Sequence, residues 1–341
     1  MGSCISQPNG DIPRNENRHF FLKISLRKTL RKLLKMDVNL NPNLYLLTDR
    51  VGHVSVQYED QLLIVWGGYD RNKPEEQSYY DPSQIAIFNA VTGQIQTHKS
   101  TGDIPPQTCG AAAVVHAKDL YVIGGFITSN GVIDNTSDIY KLNVSTKVWT
   151  KLKPDMEEGR PPLLKVDKLS SWCYKDEIFI FGGYGPVPTT EHDHYPSYFT
   201  HILDPEYLRG WTNQQLAINT KNNSIRWLDA QGDIPCARAA HATVCDPTKK
   251  CVFLFGGRFG TERLNDLYIG DLKVSGQITW KKVEKRHGEP WPCGRSWHTL
   301  STIGQDAILL YGGNTFIHIL HIFYSFSFVP MPCHKNSSAD T

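Results

Sequence analysis

The sequence has no Cys-x-x-Cys pair, no apolar run long enough to cross a bilayer as a helix, and no large excess of charge of either sign. Its eight cysteines, at 4, 109, 173, 236, 245, 251, 293 and 333, are too scattered for a zinc ribbon or a thioredoxin-like redox motif. No cleavable secretion signal is readable ahead of them, so free thiols in a reducing compartment, the cytoplasm or nucleus, are the expectation. The most apolar stretch, 315–329, carries His318, His321 and two serines and falls short of the ~20 residues that a spanning helix needs. Also absent are a Gly-x-Ser-x-Gly elbow, a Walker loop and an HExxH pair, which removes the usual marks of hydrolases, P-loop NTPases and zincins. His192 and His194 in "EHDH" read as an ordinary polar loop, so no metal, cofactor or catalytic residue is expected.

The net charge of +2 is unevenly spread. Residues 1–36 hold eight of the 36 Lys and Arg but only Asp11 and Glu16 of the 34 acids, which leaves 28 basic and 32 acidic groups in the body. A mildly acidic body argues against a general nucleic-acid surface. The leader, 1–49, begins "MGSCIS", a myristoylation pattern on Gly2 with Cys4 as a possible second acylation site. Leu22, Leu26, Leu30 and Leu33 then lie beside a stripe of Lys23, Arg27, Arg31 and Lys35, as in a basic amphipathic anchor. Two readings stay open: the cytoplasmic face of a membrane, or a disordered basic leader with Met36 as a later start.

What the chain does have is a repeat. Glycine pairs close apolar runs at 67, 124, 182, 256 and 312, with spacings of 57, 58, 74 and 56 residues, close to the ~50-residue period of kelch blades. Turn segments such as "GDIPP" (102–106) and "GDIPC" (232–236) precede them, and Trp149, Trp227 and Trp280 follow three of them. The apolar runs are four to seven residues long and rich in Val, Ile, Phe and Tyr, too short for helices. The expectation is an all-β array of four strands per repeat. Each glycine pair would permit a close approach, each Trp would fill the layer between blades, and the Asp of "DIY" and "DLY" would accept hydrogen bonds from adjacent backbone or arginine groups.

Arg258 follows the fourth glycine pair and Arg263 precedes the strand "LNDLYI", so both sit at the mouth of one connection. Two guanidiniums there suit a carboxylate; pairing with Glu262 or Asp266 is the structural alternative. Tyr184 follows the third pair with a phenol able to donate to a peptide carbonyl, and Tyr69 follows the first. Lys168 is assigned the slot of His53 and His298, a rim position whose change to lysine points to a second electrostatic contact.

"DKLSSWCYKDEIFIFGGYG" (167–185), "RAAHATV" (238–244), "FGGRFGTERLNDLY" (255–268) and "GRSWHTL" (294–300) resemble the kelch family. Within it, the likeness is to kelch-domain substrate receptors of cullin-RING ubiquitin ligases. The resemblance runs from about Arg50 to Gly313 and implies a β-propeller of six blades, of which five repeats are readable. It implies capture of a target's C-terminal glycine, with Arg258 and Arg263 on the carboxylate, Ser296 completing its contacts, Trp297 beside it and Trp211 as a pocket wall. Elongin and cullin are the partners it implies; a protein adaptor or scaffold without a ligase link is the alternative. The copper-dependent sugar oxidases of the same fold need an axial cluster of Tyr, His and Cys, and no such set is apparent. The propeller is assigned to 50–314. In 315–341 neither a sixth glycine pair nor the recruiting helices can be read, so weak or absent association with elongin is expected, and two readings stay open for 315–329: substitute strands, or an aggregation segment if left free.

Overall fold

In the computed structural model every apolar run that ends on a glycine pair is the second strand of an antiparallel sheet. The structure describes residues 50–73, 78–129, 132–188, 194–285, 287, 290–303, 307–315 and 323–327. Gly2, Cys4 and the rest of the leader, His192, and most of 315–341 lie outside them.

Five of the eight described sheets follow one another along the chain as successive blades; the other three are small, and one of them pairs Tyr184–Pro186 with Arg209–Thr212. The first contains Val54–Glu59, Leu62–Trp66, Gln84–Asn89 and Ile95–Lys99. The second, third and fourth repeat this four-strand meander from Ala112, Ser170 and Ala242. The fifth has Ser296–Ile303, Ala307–Asn314 and Phe323–Ser327, the last pairing with Tyr311 through Ala307. A strand does therefore form within the stretch expected to substitute for the missing pattern. The reading of four strands per repeat holds for the first four sheets, and the fifth shows three among the described residues.

The core consists of layers between consecutive sheets. Trp66, Ile85, Leu120, Leu142 and Trp149 form one layer between the first and second. Similar clusters join second to third, third to fourth and fourth to fifth. The repeated tryptophans occupy these layers as expected. Trp149 is 1% exposed, lies 5.3 Å from Trp66 and donates to Ser100 Oγ of the preceding blade at 3.0 Å. Trp280 does the same from the fourth blade, donating to Gln215 Oε1 at 2.8 Å and meeting Phe181 edge-on at 5.8 Å. Burying rings of this size, with each N–H satisfied, is worth several kcal/mol per layer.

Two sets of backbone bonds lock neighbouring blades. The "GDIP" turns carry the chain outward: Thr101–Gly102 and Asp229–Gly232 each add a parallel strand to the outer edge of the next blade. At the inner end, the second glycine of a pair donates its N–H to a carbonyl of the following blade. Gly68 reaches Thr108 O, Gly125 Val166 O, Gly183 Arg238 O and Gly257 Arg295 O, at 2.8–2.9 Å. Gly183 has φ 120°, and a Cβ there would lie 2.7 Å from Val166, so only glycine permits the bond. That is the close approach the pairs foretell.

One residue per blade then stands at the inner end of the first strand in left-handed conformation: Gly52, Gly110, Lys168, Ala240 and Trp297. Each donates its N–H to the carbonyl of its predecessor, Gly110 to Gly52, Lys168 to Gly110, Ala240 to Lys168 and Trp297 to Ala240, at 2.6–2.9 Å. This register corrects the slot assigned to Lys168. Lys168 is equivalent to Gly52 and Trp297; the position of His53 and His298 is taken by Leu169. Nor is the histidine slot uniformly a rim site, because His241 and His298 are buried between blades.

Buried charge reinforces the fourth blade. Arg238 is wholly buried and holds both oxygens of Asp266, at 2.7 and 2.9 Å, while also donating to Gly256 O. The Asp of "DLY" thus accepts from an arginine, one of the donors expected, whereas Asp138 of "DIY" accepts from Lys151 at 2.8 Å, a lysine rather than the backbone or arginine expected. The six described cysteines are free.

Candidate functional site

The strands Cys251–Phe259 and Glu262–Asp271 continue past the glycine pair as a hairpin that turns on Gly260 and Thr261. The register puts Arg258 directly opposite Arg263. Like charges so placed on one hairpin destabilise it unless something answers them. Among the described residues neither arginine forms an ion pair, so the alternative of Glu262 or Asp266 as partner is not what the structure has; Asp266 is committed to Arg238. Arg258 Nε donates to Gly260 O at 2.8 Å, and its guanidinium lies 5.9 Å from the ring centre of Trp211. Burial first, and then the charge of Arg258, pull the Arg263 pKa below the ordinary arginine value, although the group stays charged. Arg263 Nε is buried without a hydrogen-bond partner.

Ser296 begins the first strand of the fifth blade just beyond the point where Arg295 N–H donates to Leu264 O at 3.1 Å. It is fully buried, and its hydroxyl is likewise unpartnered. An uncommitted guanidinium N–H and an uncommitted hydroxyl are thus carried on adjoining segments. Trp297, the next residue, is half exposed on the axis and held at φ 61°. A bulky side chain in left-handed backbone costs about 1–2 kcal/mol, a strain that gathers at functional positions.

A cleft of about 550 Å³ opens beside this hairpin, lined by Lys168, Tyr184, Trp211, Arg258 and Trp297 together with the Asp204–Tyr207 loop. Five of the eight residues expected to hold a peptide therefore share one cleft. Tyr184 and Trp211 form its wall, with ring centres 5.1 Å apart, and Phe259 backs Trp211 at 5.8 Å. Lys168 is tied to the buried Asp167 at 2.6 Å and extends over both Tyr184 and Trp297. The Tyr184 hydroxyl donates to Asp204 at 3.4 Å. Tyr69 belongs to a second, adjoining cleft of about 720 Å³, which shares Lys168, Tyr184 and Trp297 with the first. Arg263 and Ser296 line neither cleft.

One constellation escapes motif reading because its members come from different blades. Cys173 Sγ lies 3.2 Å from His116 Nδ1, and His116 Nε2 lies 3.7 Å from Asp176. Burial pushes the Cys173 thiol up to about 11, away from the thiolate a nucleophile requires. Among the described residues no group of three or more His, Cys, Asp or Glu is placed to hold a metal ion, and no helix is long and apolar enough to cross a membrane.

Repeated β-blades that carry aromatics and arginines at the ends of their strands have the architecture of a protein-interaction domain. The chain belongs to the KLHDC2/KLHL20/DRC7 Kelch-repeats domain family, which it matches over residues 52–217 and 208–338. The second match continues past 314 through the strand Phe323–Ser327. Kelch domain-containing protein 2 of Bos taurus is 33% identical over 279 residues, 78% of this chain and 64% of that protein. Kelch domain-containing protein 1 of Mus musculus is 30% identical over 78% of this chain and 63% of its own length. Host cell factor 2 of Homo sapiens is 26% identical, and only 30% of its length is covered. The chain thus spans just under two thirds of the first two relatives.

Proposed function

We propose that this face binds the free C-terminus of another protein, one ending in glycine, and that the domain acts as a substrate receptor of a cullin-RING ubiquitin ligase. The observation that carries the peptide half is the pair Arg258 and Arg263, in register on one hairpin with no acidic partner among the described residues. A carboxylate at Arg258, which lines the cleft, supplies the missing charge; the unpartnered Arg263 Nε and Ser296 Oγ are buried on adjoining segments behind it and reach a ligand only if their side chains turn toward the cleft. Trp211, Tyr184 and Trp297 crowd the same cleft, so a terminal residue without a Cβ fits where a bulky one collides. Selection then lies in the space denied, and affinity in a carboxylate whose donors are all supplied.

A peptide panel tests this reading by calorimetry: one ending in free Gly-Gly, its C-terminal amide, and the same peptide extended by Phe. The free acid binds, and the amide and the extended peptide bind at least tenfold more weakly, about 1.4 kcal/mol. Equal binding of all three overturns the carboxylate pocket. The ligase half rests on the family resemblance, and co-precipitation of the chain with elongin and cullin tests it separately from the panel.

A further inference from the structure

Arg209, two residues before Trp211, lines the second, larger cleft. Arg209 and Trp211 are two apart on the strand Arg209–Thr212, so their side chains leave the same face. Both rest against Tyr184: Trp211 at 5.1 Å and the Arg209 guanidinium at 5.7 Å from the ring centre. Phe126 of the second blade supports the guanidinium from another side at 5.3 Å. Two rings thus fix the side chain while it forms no ion pair among the described residues, and its Nε has no hydrogen-bond partner. Two carboxylates stand near it, each with a partner of its own: Asp167, whose charge interacts with Arg209, holds Lys168 at 2.6 Å, and Asp204, whose N–H donates to Arg209 O, accepts from the Tyr184 hydroxyl at 3.4 Å. A guanidinium stacked on aromatic faces, facing a cleft and unanswered by a carboxylate is arranged to receive an anion.

We propose that Arg209 forms a second anionic subsite, reading an acidic side chain, Asp or Glu, upstream of the C-terminus bound at Arg258 and Arg263. The inference rests on the proposed peptide reading and adds to it a preference in ligand sequence. The two clefts adjoin through Lys168, Tyr184 and Trp297, so one extended peptide passes from one to the other. Positions two apart on a strand are separated by roughly 7 Å, and a peptide advances about 3.3 Å per residue, which puts the acidic side chain two to four residues before the terminus.

The test is a charge scan by calorimetry. A peptide ending in free Gly-Gly is made with Glu, Gln or Lys at each of the second to fourth positions before its terminal residue, and measured against the wild-type chain, Arg209→Gln and Arg209→Lys. At one position the Glu peptide binds the wild type roughly tenfold more tightly than the Gln peptide, the scale of one charge-assisted hydrogen bond. Arg209→Gln loses this preference yet keeps its affinity for the Gln peptide, and Arg209→Lys keeps part of it. Because the guanidinium packs on Phe126 and Tyr184, melting curves accompany both variants. If Arg209→Gln does not fold, the position-dependent preference of the wild type and its decline in Arg209→Lys decide the matter. Binding of the parent peptide with no preference for Glu at any position overturns the Arg209 subsite and leaves the carboxylate pocket standing. Failure of the parent peptide to bind removes both.

Discussion

Arg258 and Arg263 are held in each other's field by a hairpin on which, among the described residues, neither forms an ion pair. In the proposed function a carboxylate relieves their repulsion, so much of the binding energy there would be differential: unfavourable charge before, paired charge after. The buried histidines illustrate the opposite case, ionisable groups kept neutral. His298 Nε2 donates to Phe255 O at 3.0 Å, and burial, then the nearby Arg295 charge, lower its pKa to about 3. His241, 2.7 Å from Ser170 Oγ, is lowered well below the ordinary value by burial and by Arg238 and His298. Both take up a proton more readily when unfolded, so the stability they confer is complete above about pH 6.5 and declines as pH falls toward the folded values. The slope approaches roughly 1.4 kcal/mol per pH unit for each histidine. Melting temperatures from pH 7.5 down to 4.5 are expected to fall in the wild type and to fall less in His298→Gln; equal slopes would contradict the neutral buried state.

At the scale of single blades, the fourth is marked by an ion pair with a fully buried arginine. Arg238 depends on Asp266 for both terminal nitrogens. Burial pushes the Asp266 pKa up, but the hydrogen bonds and charge of Arg238 prevail and hold it below the usual carboxylate value. Asp266→Ala is expected to cost about 3–5 kcal/mol in denaturant unfolding, because it leaves a guanidinium buried without its anion. A loss under about 1 kcal/mol would mean that water or a rearranged carboxylate replaces it. The strands around this pair were legible because each apolar run is closed by two glycines that only left-handed backbone explains. The Asp of "DLY" was legible as an acceptor, whereas its arginine, 28 residues earlier, was not. The axial ring was hidden for a different reason. Its left-handed residue is glycine at 52 and 110 but Lys168, Ala240 and Trp297 afterwards, so no residue type marks the position and Lys168 was matched one place away.

Across the whole molecule, the proposed binding face is a product of the blades' succession rather than of any one of them. Tyr184 and Trp211 come from the third blade, Arg258 and Arg263 from the fourth, Ser296 and Trp297 from the fifth, and the axial hydrogen bonds set the last three in angular register. Arg258 and Arg263 were readable in sequence because five residues and one turn separate them. Arg209 was not, because its supports, Phe126 and Tyr184, lie on two different blades. The measurement that bears most directly on the account is a thermodynamic cycle. Affinities of a Gly-Gly-ending peptide and its C-terminal amide are compared on the wild-type chain and on Arg258→Ala, with folding checked by circular dichroism. The wild type should prefer the free acid by about tenfold or more, corresponding to at least ~1.4 kcal/mol, and Arg258→Ala should bring that ratio near one. A preference for the acid that persists unchanged in Arg258→Ala, or no preference in the wild type, would contradict it.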